Sequence, residues 1–374
     1  MINNRSVIIL GLGPSGLFLT RQLHKLTDKI YAIGRLDDVG MYSKYIDKTH
    51  RFYASSTDEL VSALKKISLY AKEKPALFIS SDQYLTLLLS ENVDWNKYAD
   101  IIGSDFQTLR LVNDKQTIIE FCKSHNICTP LSYTFAEFET NSERQFPIIV
   151  KPNEKQLHPK KNPIGKVRIC HTQEEFECLL GEMAKLQTNP KEYHIQSYIE
   201  GNNAQQYSIG GYYLNGEPLA EITVNQIKQY PQGISALVIT SDDENAKHIK
   251  QISRDFAKEL SFSGFMEAEF KIDQVTLQPY LLDVNPRPWG WISVLGSAYD
   301  DFHCVFEGKK VNMLNHPVLW QSKIRRFLSF KNKNNADVEI RESEYMKAYD
   351  IFDAFDRKPS LMIYVMTLKK LFKK

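Results

Sequence analysis

Two pairs of oxygen-bearing side chains stand close together in the second half of the sequence. Glu267 and Glu269 are two residues apart in a strand-like run, so both side chains point to one face. Asp283 and Asn285 have the same spacing at the end of the next apolar run, and Arg287 follows on that face. Such oxygens hold Mg²⁺ around a polyphosphate. A guanidinium beside them can neutralise charge on a transferred phosphoryl group or on an oxyanion.

A structural interpretation of the same residues is also open. Glu267 and Glu269 would then face solvent on a half-buried strand. The segment from Asp283 to Pro286 would be only a turn. The position of these side chains in the folded chain distinguishes the two interpretations.

A glycine-rich loop near the N-terminus offers a second candidate site. Gly11, Gly13 and Gly16 form G-x-G-x-x-G between a strand and a helix, where backbone N–H groups favour a phosphate. A dinucleotide site also needs an acid at the end of the second strand, where Gly34 and Arg35 stand instead. Arg35 would suit a 2′-phosphate. An NAD(P)-dependent oxidoreductase using the GLGPSG loop, a tight turn without cofactor and a substrate-binding loop therefore stay open.

The elements that would position these residues alternate between strands and helices. Short apolar runs separated by helical patterns fill residues 6 to about 106 and predict a doubly wound parallel sheet. The next part of the chain reads as a mixed α+β unit, in which the runs Phe265 to Ile272 and Pro279 to Val284 carry the acids. The sequence therefore predicts an α/β protein.

The composition is that of an ordinary globular protein of 374 residues. Its 47 Lys and Arg against 45 Asp and Glu give a net charge of +2, which provides no field for nucleic acid. Five cysteines, an odd number without a C-x-x-C pair, argue against a disulfide framework and a zinc site. No signal-peptide core or membrane-length apolar run is present, so we expect a cytoplasmic protein.

The string FMEAEFKID followed by LLDVNPRPWGW resembles the closing metal motif of the ATP-grasp superfamily. The resemblance runs from about residue 6 to about residue 300. By position it implies that Glu269, Asp283 and Asn285 are the Mg²⁺ ligands, with Mn²⁺ as an alternative ion, and that Arg287 stabilises the transfer. Asp283 stands where the family usually has glutamate. Its shorter side chain leaves open whether it binds one ion or two.

The same resemblance assigns two lysines to the phosphates of ATP. Lys115 corresponds to the lysine of the family's Asp-Lys helix, and Lys151 corresponds to its second ATP lysine, which ends a buried strand. A lysine in that position is otherwise one that reaches past the strand to solvent. Between Lys151 and Val167 the family has a mobile glycine-rich flap, whereas this chain has HPKKNPIGK with Gly165 alone.

A further string, His194-Ile-Gln-Ser-Tyr-Ile-Glu-Gly201, resembles the hinge strand that binds adenine. The resemblance implies that Gln196 meets the exocyclic amine and that the backbone of Tyr198 and Ile199 meets the ring. Gln206 stands where the family has a ribose-contacting glutamate, and an amide can still accept a hydroxyl hydrogen bond. The alternative is a plain edge strand that runs into a turn.

The segments NPRPWGW and Ile227-Lys228-Gln-Tyr-Pro231 are most similar to the carboxylate-amine ligases related to D-aspartate ligase and the carbamoyl-phosphate synthetase core. This implies that ATP phosphorylates a carboxylate and that an amine displaces the phosphate to form an amide, releasing ADP. Lys228 would approach the γ-phosphate or the acyl phosphate, or else be a solvated strand residue. A non-catalytic nucleotide-binding module is the other alternative, although it would lack the metal acids.

The resemblance also predicts the domain organisation. Residues 1–106 would form a Rossmann-like pre-ATP-grasp domain, 107–201 the small lobe with a linker helix, 202–301 the large lobe with the metal site, and 302–374 a C-terminal helical extension. We expect small-molecule carboxylate and amine substrates, no nucleic acid partner, and an oligomeric state for which a homodimer is plausible. Part of the substrate site is expected at Gly11 to Ser15, Ser43 and Ser80 to Asp82, at the strand ends of the first sheet.

The tail from Pro359 to Lys374 combines apolar residues at helical spacing with a basic end. A basic amphipathic helix can lie on an anionic membrane surface, or it can dock on its own domain with its lysines at the C-terminal dipole. Docking is the favoured alternative. The apolar residues are Leu361, Tyr364, Val365, Leu368 and Phe372, and the basic ones are Lys369, Lys370, Lys373 and Lys374.

Overall fold

The structure is a computed structural model, and it describes residues 2, 4–90, 93–153, 164, 167–201, 205–329 and 340–371. Within these residues the strands form three sheets. In chain order the strands are β1 (Val7–Leu10), β2 (Ile30–Gly34), β3 (Arg51–Tyr53), β4 (Ala76–Ile79), β5 (Asp100–Ile101), β6 (Ser132–Tyr133), β7 (Ile148–Pro152), β8 (Arg168–Cys170), β9 (Tyr193–Ser197), β10 (Gln206–Leu214), β11 (Glu217–Gln229), β12 (Ser235–Thr240), β13 (Gly264–Ile272), β14 (Pro279–Asn285), β15 (Val318–Gln321) and β16 (Met346–Tyr349).

Helices cover the sheets and connect their strands. Short 3₁₀ turns join several of them, among them Val39–Tyr42. The α-helices are α1 (Pro14–Leu23), α2 (Thr57–Tyr70), α3 (Asp82–Ser90), α4 (Phe106–Asn113), α5 (Lys115–Ser124), α6 (Phe135–Thr140), α7 (Gln173–Lys185), α8 (Glu244–Glu259), α9 (Ser293–Ala298), α10 (Lys323–Ser329) and α11 (Arg357–Leu371).

The first sheet has the order β3-β2-β1-β4-β5, and all its strands are parallel. This confirms the predicted doubly wound sheet. Its central strand β1 is buried along its whole length, as expected when helices cover both faces. The chain reverses its winding between β1 and β4, which places the glycine loop and the segment Ser80 to Asp82 side by side. Ligands bind at this point in open α/β sheets.

The second sheet has the order β6-β9-β7-β8 and is antiparallel. On one of its faces Val150 and Ile195 pack against α6 and α7 through Phe138 and Phe176. Because side chains alternate along a strand, the residues directly before and after Val150 and Ile195 point to the opposite face of the sheet. That second face is the one that carries the predicted nucleotide residues.

The third sheet has seven strands in the order β14-β13-β10-β11-β12-β15-β16, with only the last pair parallel. Met266 and Phe270 of β13 pack against α8 on one face. On the other face Tyr212 and Phe265 join a core that continues into the first sheet through Phe18. The acids of β13 therefore point to the face that meets the N-terminal part of the chain.

Residues 302–374 were predicted to form a helical extension. In the structure they also form β15 and β16, which join the seven-stranded sheet. The last helix of this segment, α11, packs Ile363 and Met366 against Leu17, Val39 and Ile351. The docked alternative for the tail is therefore the one seen in the described residues. Three apolar side chains of α11 stay exposed, so a membrane contact stays a prediction; they are Leu361, Tyr364 and Leu368. Phe372, Lys373 and Lys374 lie outside the described residues.

A transmembrane helix is not found in the described part of the chain, because no helix there is sufficiently long and apolar. All five cysteines lie within that part, and none forms a disulfide.

Candidate functional site

The two acid-bearing strands are neighbours in the large sheet. Glu269 of β13 lies directly opposite Asp283 of β14, and Glu267 lies opposite Asn285. Residues paired in this way point to the same face of a sheet. The register therefore brings together the four oxygen-bearing side chains that the sequence singled out.

Glu267 fixes the position of the neighbouring groups. Its side chain is buried, and it accepts hydrogen bonds from Asn285 Nδ2 at 3.0 Å and from Trp291 Nε1 at 2.7 Å. The interpretation in which Glu267 faces solvent is therefore wrong. By holding the amide nitrogen of Asn285, Glu267 turns the amide oxygen Oδ1 towards Arg287, whose Nη2 lies 3.4 Å away.

The remaining donors suit a hard cation. Glu269 and Asp283 are half-buried, and no described residue forms a hydrogen bond or ion pair with the carboxylate of Glu269. With Asn285 Oδ1 they give two carboxylates and one amide oxygen, a small set of the kind that Mg²⁺ takes when phosphate and water complete its shell. The described residues contain no cluster of three or more His, Cys, Asp or Glu side chains that could hold a metal. The metal role of Glu269, Asp283 and Asn285 therefore stays a prediction.

Arg287 is held by Asp82, the residue that begins α3 shortly after the first-sheet strand β4. Its Nε and Nη2 donate to the two carboxylate oxygens of Asp82 at 2.6 and 2.5 Å, and its Nη1 donates to the carbonyl of Pro288 at 2.8 Å. Burial alone would lower the pKa of Arg287, but the Asp82 carboxylate raises it. Arg287 therefore stays charged with its plane fixed. Asp82 was expected near the substrate, and its pairing with Arg287 brings that region to the residue predicted to stabilise the transfer.

The predicted ATP lysine Lys151 ends a strand whose neighbour carries a histidine. Lys151 lies directly opposite His194, and Ile149 lies opposite Gln196, all on the face away from the lobe core. The second lysine, Lys115, begins α5 and donates from Nζ to the Pro152 carbonyl at 2.8 Å. Both predicted lysines therefore lie at the same end of β7.

His194 was not predicted as a site residue, and the structure gives it an unusual environment. Burial lowers its pKa to about 3, assisted by the charges of Lys115 and Lys151 and opposed by Asp283. Its Nδ1 lies 3.0 Å from Asn153 Oδ1. Because Asn153 Nδ2 donates to the Lys191 carbonyl, Oδ1 is the acceptor and Nδ1 carries the proton. A short strand with one histidine gave no signal of this in the sequence.

The residues of the predicted adenine hinge offer hydrogen-bond acceptors more clearly than donors. Gln196 is buried, and its Oε1 has no hydrogen-bond partner among the described residues. The strand β9 ends at Ser197, and the N–H of Tyr198 donates to the Pro147 carbonyl at 3.3 Å. Tyr198 therefore has its carbonyl, rather than its N–H, to present to a ring. Ile199 follows directly and is half-buried.

Gln206 begins β10 next to the hinge. Its Oε1 accepts a hydrogen bond from Gln229 Nε2 at 2.9 Å, so its amide NH₂ is the group directed elsewhere. Lys271 lies opposite Gln206 and donates from Nζ to the Gly201 carbonyl at 2.7 Å. Burial lowers the pKa of Lys271 to about 8. Sequence reasoning missed Lys271 because its contact with the hinge is made across the sheet.

Lys228 is not a solvated strand residue. The strand β11 runs to Gln229, and Lys228 is 8% exposed. A register shift between β11 and β12 falls at this residue. Lys228 therefore lies at a bulge in the same sheet as the strands that carry the predicted metal ligands.

The glycine loop is explained by its own packing. Gly11 has φ of +88°, and a Cβ at Gly16 would lie 2.0 Å from the Gly11 carbonyl oxygen. The Asp38 carboxylate accepts the N–H of Leu12 at 3.0 Å, and the N–H of Gly40 donates to the Leu12 carbonyl at 2.7 Å. These contacts occupy the space beside the loop, and they favour the tight turn over a dinucleotide site.

The predicted flap is the part of the site outside the described residues. Residues 154–163 and 165–166 belong to it, and they include Gly165.

Comparison with known proteins identifies the fold. The sequence matches no protein-family model and no curated protein. Among solved structures, N5-carboxyaminoimidazole synthase from Aspergillus clavatus in complex with ADP has a TM-score of 0.65 at 12% identity, covering 85% of this chain and 82% of its own. An L-amino acid ligase from Bacillus licheniformis has a TM-score of 0.60 at 12% identity, and the match covers 83% of this chain and 75% of the ligase. A third structure is the biotin carboxylase domain of Hydrogenobacter thermophilus 2-oxoglutarate carboxylase with MgADP and bicarbonate. It has a TM-score of 0.62 at 14% identity, and the match covers 85% of this chain and 74% of that domain.

Proposed function

Because this chain has the ATP-grasp fold, we propose that it is an ATP- and Mg²⁺-dependent ligase that activates a carboxylate as an acyl phosphate and joins it to an amine. The products are an amide, ADP and phosphate. The substrates are a small-molecule carboxylate and a small-molecule amine. An amino acid is a candidate for either role, because one structural neighbour is an L-amino acid ligase.

The observation that carries this proposal is the convergence of charges around His194. Lys115 and Lys151 of the small lobe and Asp283 of the metal strand all act on the pKa of this one histidine. The two lysines proposed to bind phosphate and an acid proposed to bind the metal therefore lie near the same histidine.

The residues divide the work of phosphoryl transfer between binding and charge neutralisation. Carboxylates are poor electrophiles at neutral pH, and phosphorylation provides a leaving group. Lys115 and Lys151 would neutralise the phosphates, and Mg²⁺ held by Glu269, Asp283 and Asn285 would supply further positive charge when bound. Arg287, oriented by Asp82, would stabilise the charge that develops on the transferred group. Lys228 would approach the same phosphate.

An ADP-release screen tests the proposal. Full-length protein, ATP and Mg²⁺ are combined with a grid of amino acids and other small carboxylates against amines, and ADP is measured. We expect ADP release only when a carboxylate and an amine are both present, because the acyl phosphate needs its acceptor. ATP binding without ADP release for any combination would contradict a ligase and support a non-catalytic module.

Two variants separate the chemistry from nucleotide binding. Asp283→Asn keeps the side-chain size and the acceptor for the Val284 N–H but removes one charge. It should bind an ATP analogue and unfold like the wild type, yet lose most substrate-dependent ADP formation. Arg287→Lys should behave similarly, because an ammonium cannot reproduce the two-pronged contact with Asp82. Asp255→Asn on the outer surface of α8 is the control, and wild-type turnover by Asp283→Asn at saturating Mg²⁺ would refute the metal role.

A further inference from the structure

The last helix, α11, carries apolar side chains on two opposite faces. One face is docked on the protein through Ile363 and Met366. The other face carries Leu361, Tyr364 and Leu368, whose side chains are 63%, 48% and 52% exposed. Because these three positions are three and four residues apart, their side chains form one stripe along the helix, which we call the tail face.

Large apolar side chains are exposed more densely around the tail face than on the rest of the described surface. Among the described residues, five of the seventeen exposed side chains of this kind fall between residues 352 and 368. The other two of these five are Phe352 and Phe355, just before the helix. Single exposed apolar side chains are normal on a protein surface, whereas a group of them marks a surface that binds a partner.

The segment before α11 holds the tail face in its exposed orientation. Asp356 is fully buried and accepts hydrogen bonds from Ser43 Oγ at 2.8 Å and from the N–H of Lys44 at 3.0 Å. Asp353 Oδ1 accepts the N–H groups of Phe355 and Asp356, both at 2.8 Å. The helix therefore cannot rotate to bury the tail face on its own domain without breaking these contacts.

The charge of the same segment indicates which partner fits the tail face. Residues 357–374 hold six of the 47 Lys and Arg of the chain and none of the 45 Asp and Glu, so the rest of the chain is net negative. Helical geometry places Lys358 and Lys369 along one edge of the tail face, and both are exposed. An anionic bilayer matches both features, because its acyl chains accept apolar side chains and its headgroups attract lysines.

We propose that the tail face is a membrane-binding surface, with which α11 lies in the interface of an anionic phospholipid bilayer while its opposite face stays docked. Leu361 and Leu368 would enter the acyl-chain boundary, and Lys358 and Lys369 would extend to the lipid phosphates. A second copy of the chain fits less well, because a two-fold interface would bring the cations of both copies together. This inference is independent of the proposed function, since it uses no residue of the nucleotide site.

Vesicle flotation of the full-length protein tests the proposal. The vesicles contain equal parts of phosphatidylserine and phosphatidylcholine, or phosphatidylcholine alone. We expect the protein to float with the first kind and not with the second, and we expect added salt to weaken binding because it screens the lysines. Failure to float with the anionic vesicles, or equal binding to both kinds, would overturn the proposal.

Substitutions on the exposed side of α11 separate lipid binding from the docking of the helix. Leu368→Glu should weaken binding to the anionic vesicles roughly ten- to a hundredfold, because a leucine no longer leaves water and a repelled charge is added. Lys369→Gln keeps the apolar stripe and should weaken binding about fivefold. Leu69→Glu is the control, since Leu69 is an 84% exposed leucine on α2. All three variants should unfold at the temperature of the wild type, and wild-type binding by Leu368→Glu would overturn the proposal.

Gel filtration distinguishes a bilayer from a second copy of the chain. We expect the wild type and Leu368→Glu to have the same oligomeric state, because the tail face is not a protein interface in this account. A wild-type dimer that Leu368→Glu dissociates would place a second copy on the tail face and overturn the membrane assignment.

Discussion

At the scale of single residues, the site depends on groups held in fixed protonation states by their neighbours. Lys151 and His194 lie opposite each other on the paired strands β7 and β9. The histidine stays neutral because burial and two lysines lower its pKa. Arg287 stays charged because Asp82 pairs with it through two contacts. A neutral imidazole next to Lys151 does not repel the charged ammonium group of the lysine.

Lys151→Ala should weaken the binding of an ATP analogue more than any other property. A charged contact to phosphate contributes about 1.5 to 3 kcal/mol, which corresponds to roughly ten- to a hundredfold in affinity. Calorimetric titration of the wild type and the variant measures the change. Lys185→Ala, an exposed lysine on α7 in the same lobe, serves as the control. An unchanged dissociation constant for Lys151→Ala would show that this lysine does not contact the nucleotide.

His194 also predicts how stability depends on pH. Its pKa in the folded protein is about 3, far below the ordinary value of 6.5. Between these values the unfolded chain binds a proton that the folded chain does not, so stability falls as the pH drops below about 6.5. His194→Gln should remove part of this dependence, at most about 1.4 kcal/mol per pH unit. Urea unfolding of both proteins at pH 7 and pH 5 measures it, and parallel losses would contradict the neutral histidine.

At the scale of elements, the strands that carry the site were predictable where the pattern is local. Glu267 and Glu269 alternate with Met266, Ala268 and Phe270, so the period of two already assigned the acids to one face. The register with β14, which sets Glu269 opposite Asp283, comes from strand pairing and cannot be read from either strand alone.

Longer-range contacts explain the differences from the sequence interpretation. β15 and β16 were missed because they are short, and because β15 pairs with β12, which lies far earlier in the chain. The partner that stabilises β15 is therefore distant in sequence, and local propensity has no access to it.

The tail makes a prediction at the element scale. Asp356 is fully buried and accepts hydrogen bonds from Ser43 Oγ at 2.8 Å and the Lys44 N–H at 3.0 Å, and it pairs with Arg21. Removing one partner of a buried pair costs about 3 to 5 kcal/mol, so Asp356→Ala should lower the free energy of unfolding by about that amount.

Denaturant unfolding of Asp356→Ala can be compared with Asp37→Ala. Asp37 forms an exposed pair with Arg35, and such pairs contribute about 0 to 1 kcal/mol. Equal losses of stability in the two variants would show that the tail does not depend on Asp356 for its attachment to the first sheet.

At the scale of the whole molecule, three sheets meet around the site. The first sheet contributes its strand ends, close to which Asp82 begins α3, and the second sheet contributes Lys151 and His194. The third sheet contributes Glu269 and Asp283, the predicted metal ligands, and its strand β14 leads into Arg287. The motifs were sufficient to predict the ATP-grasp fold, because each lies on a local strand or helix. They did not predict the contact between Asp82 and Arg287 or the buried environment of His194, since these depend on how the sheets pack together.

The central claim is that a carboxylate is phosphorylated before the amine attacks, and transfer of oxygen tests it most directly. The carboxylate that supports ADP release is labelled with ¹⁸O in both oxygens, and the released phosphate is analysed by mass spectrometry after turnover. Attack of the carboxylate on the γ-phosphate leaves one carboxylate oxygen on phosphorus when the amine displaces it. We therefore predict one ¹⁸O atom in each phosphate released. Unlabelled phosphate, with label confined to the amide and water, would contradict the acyl phosphate and with it the ligase account.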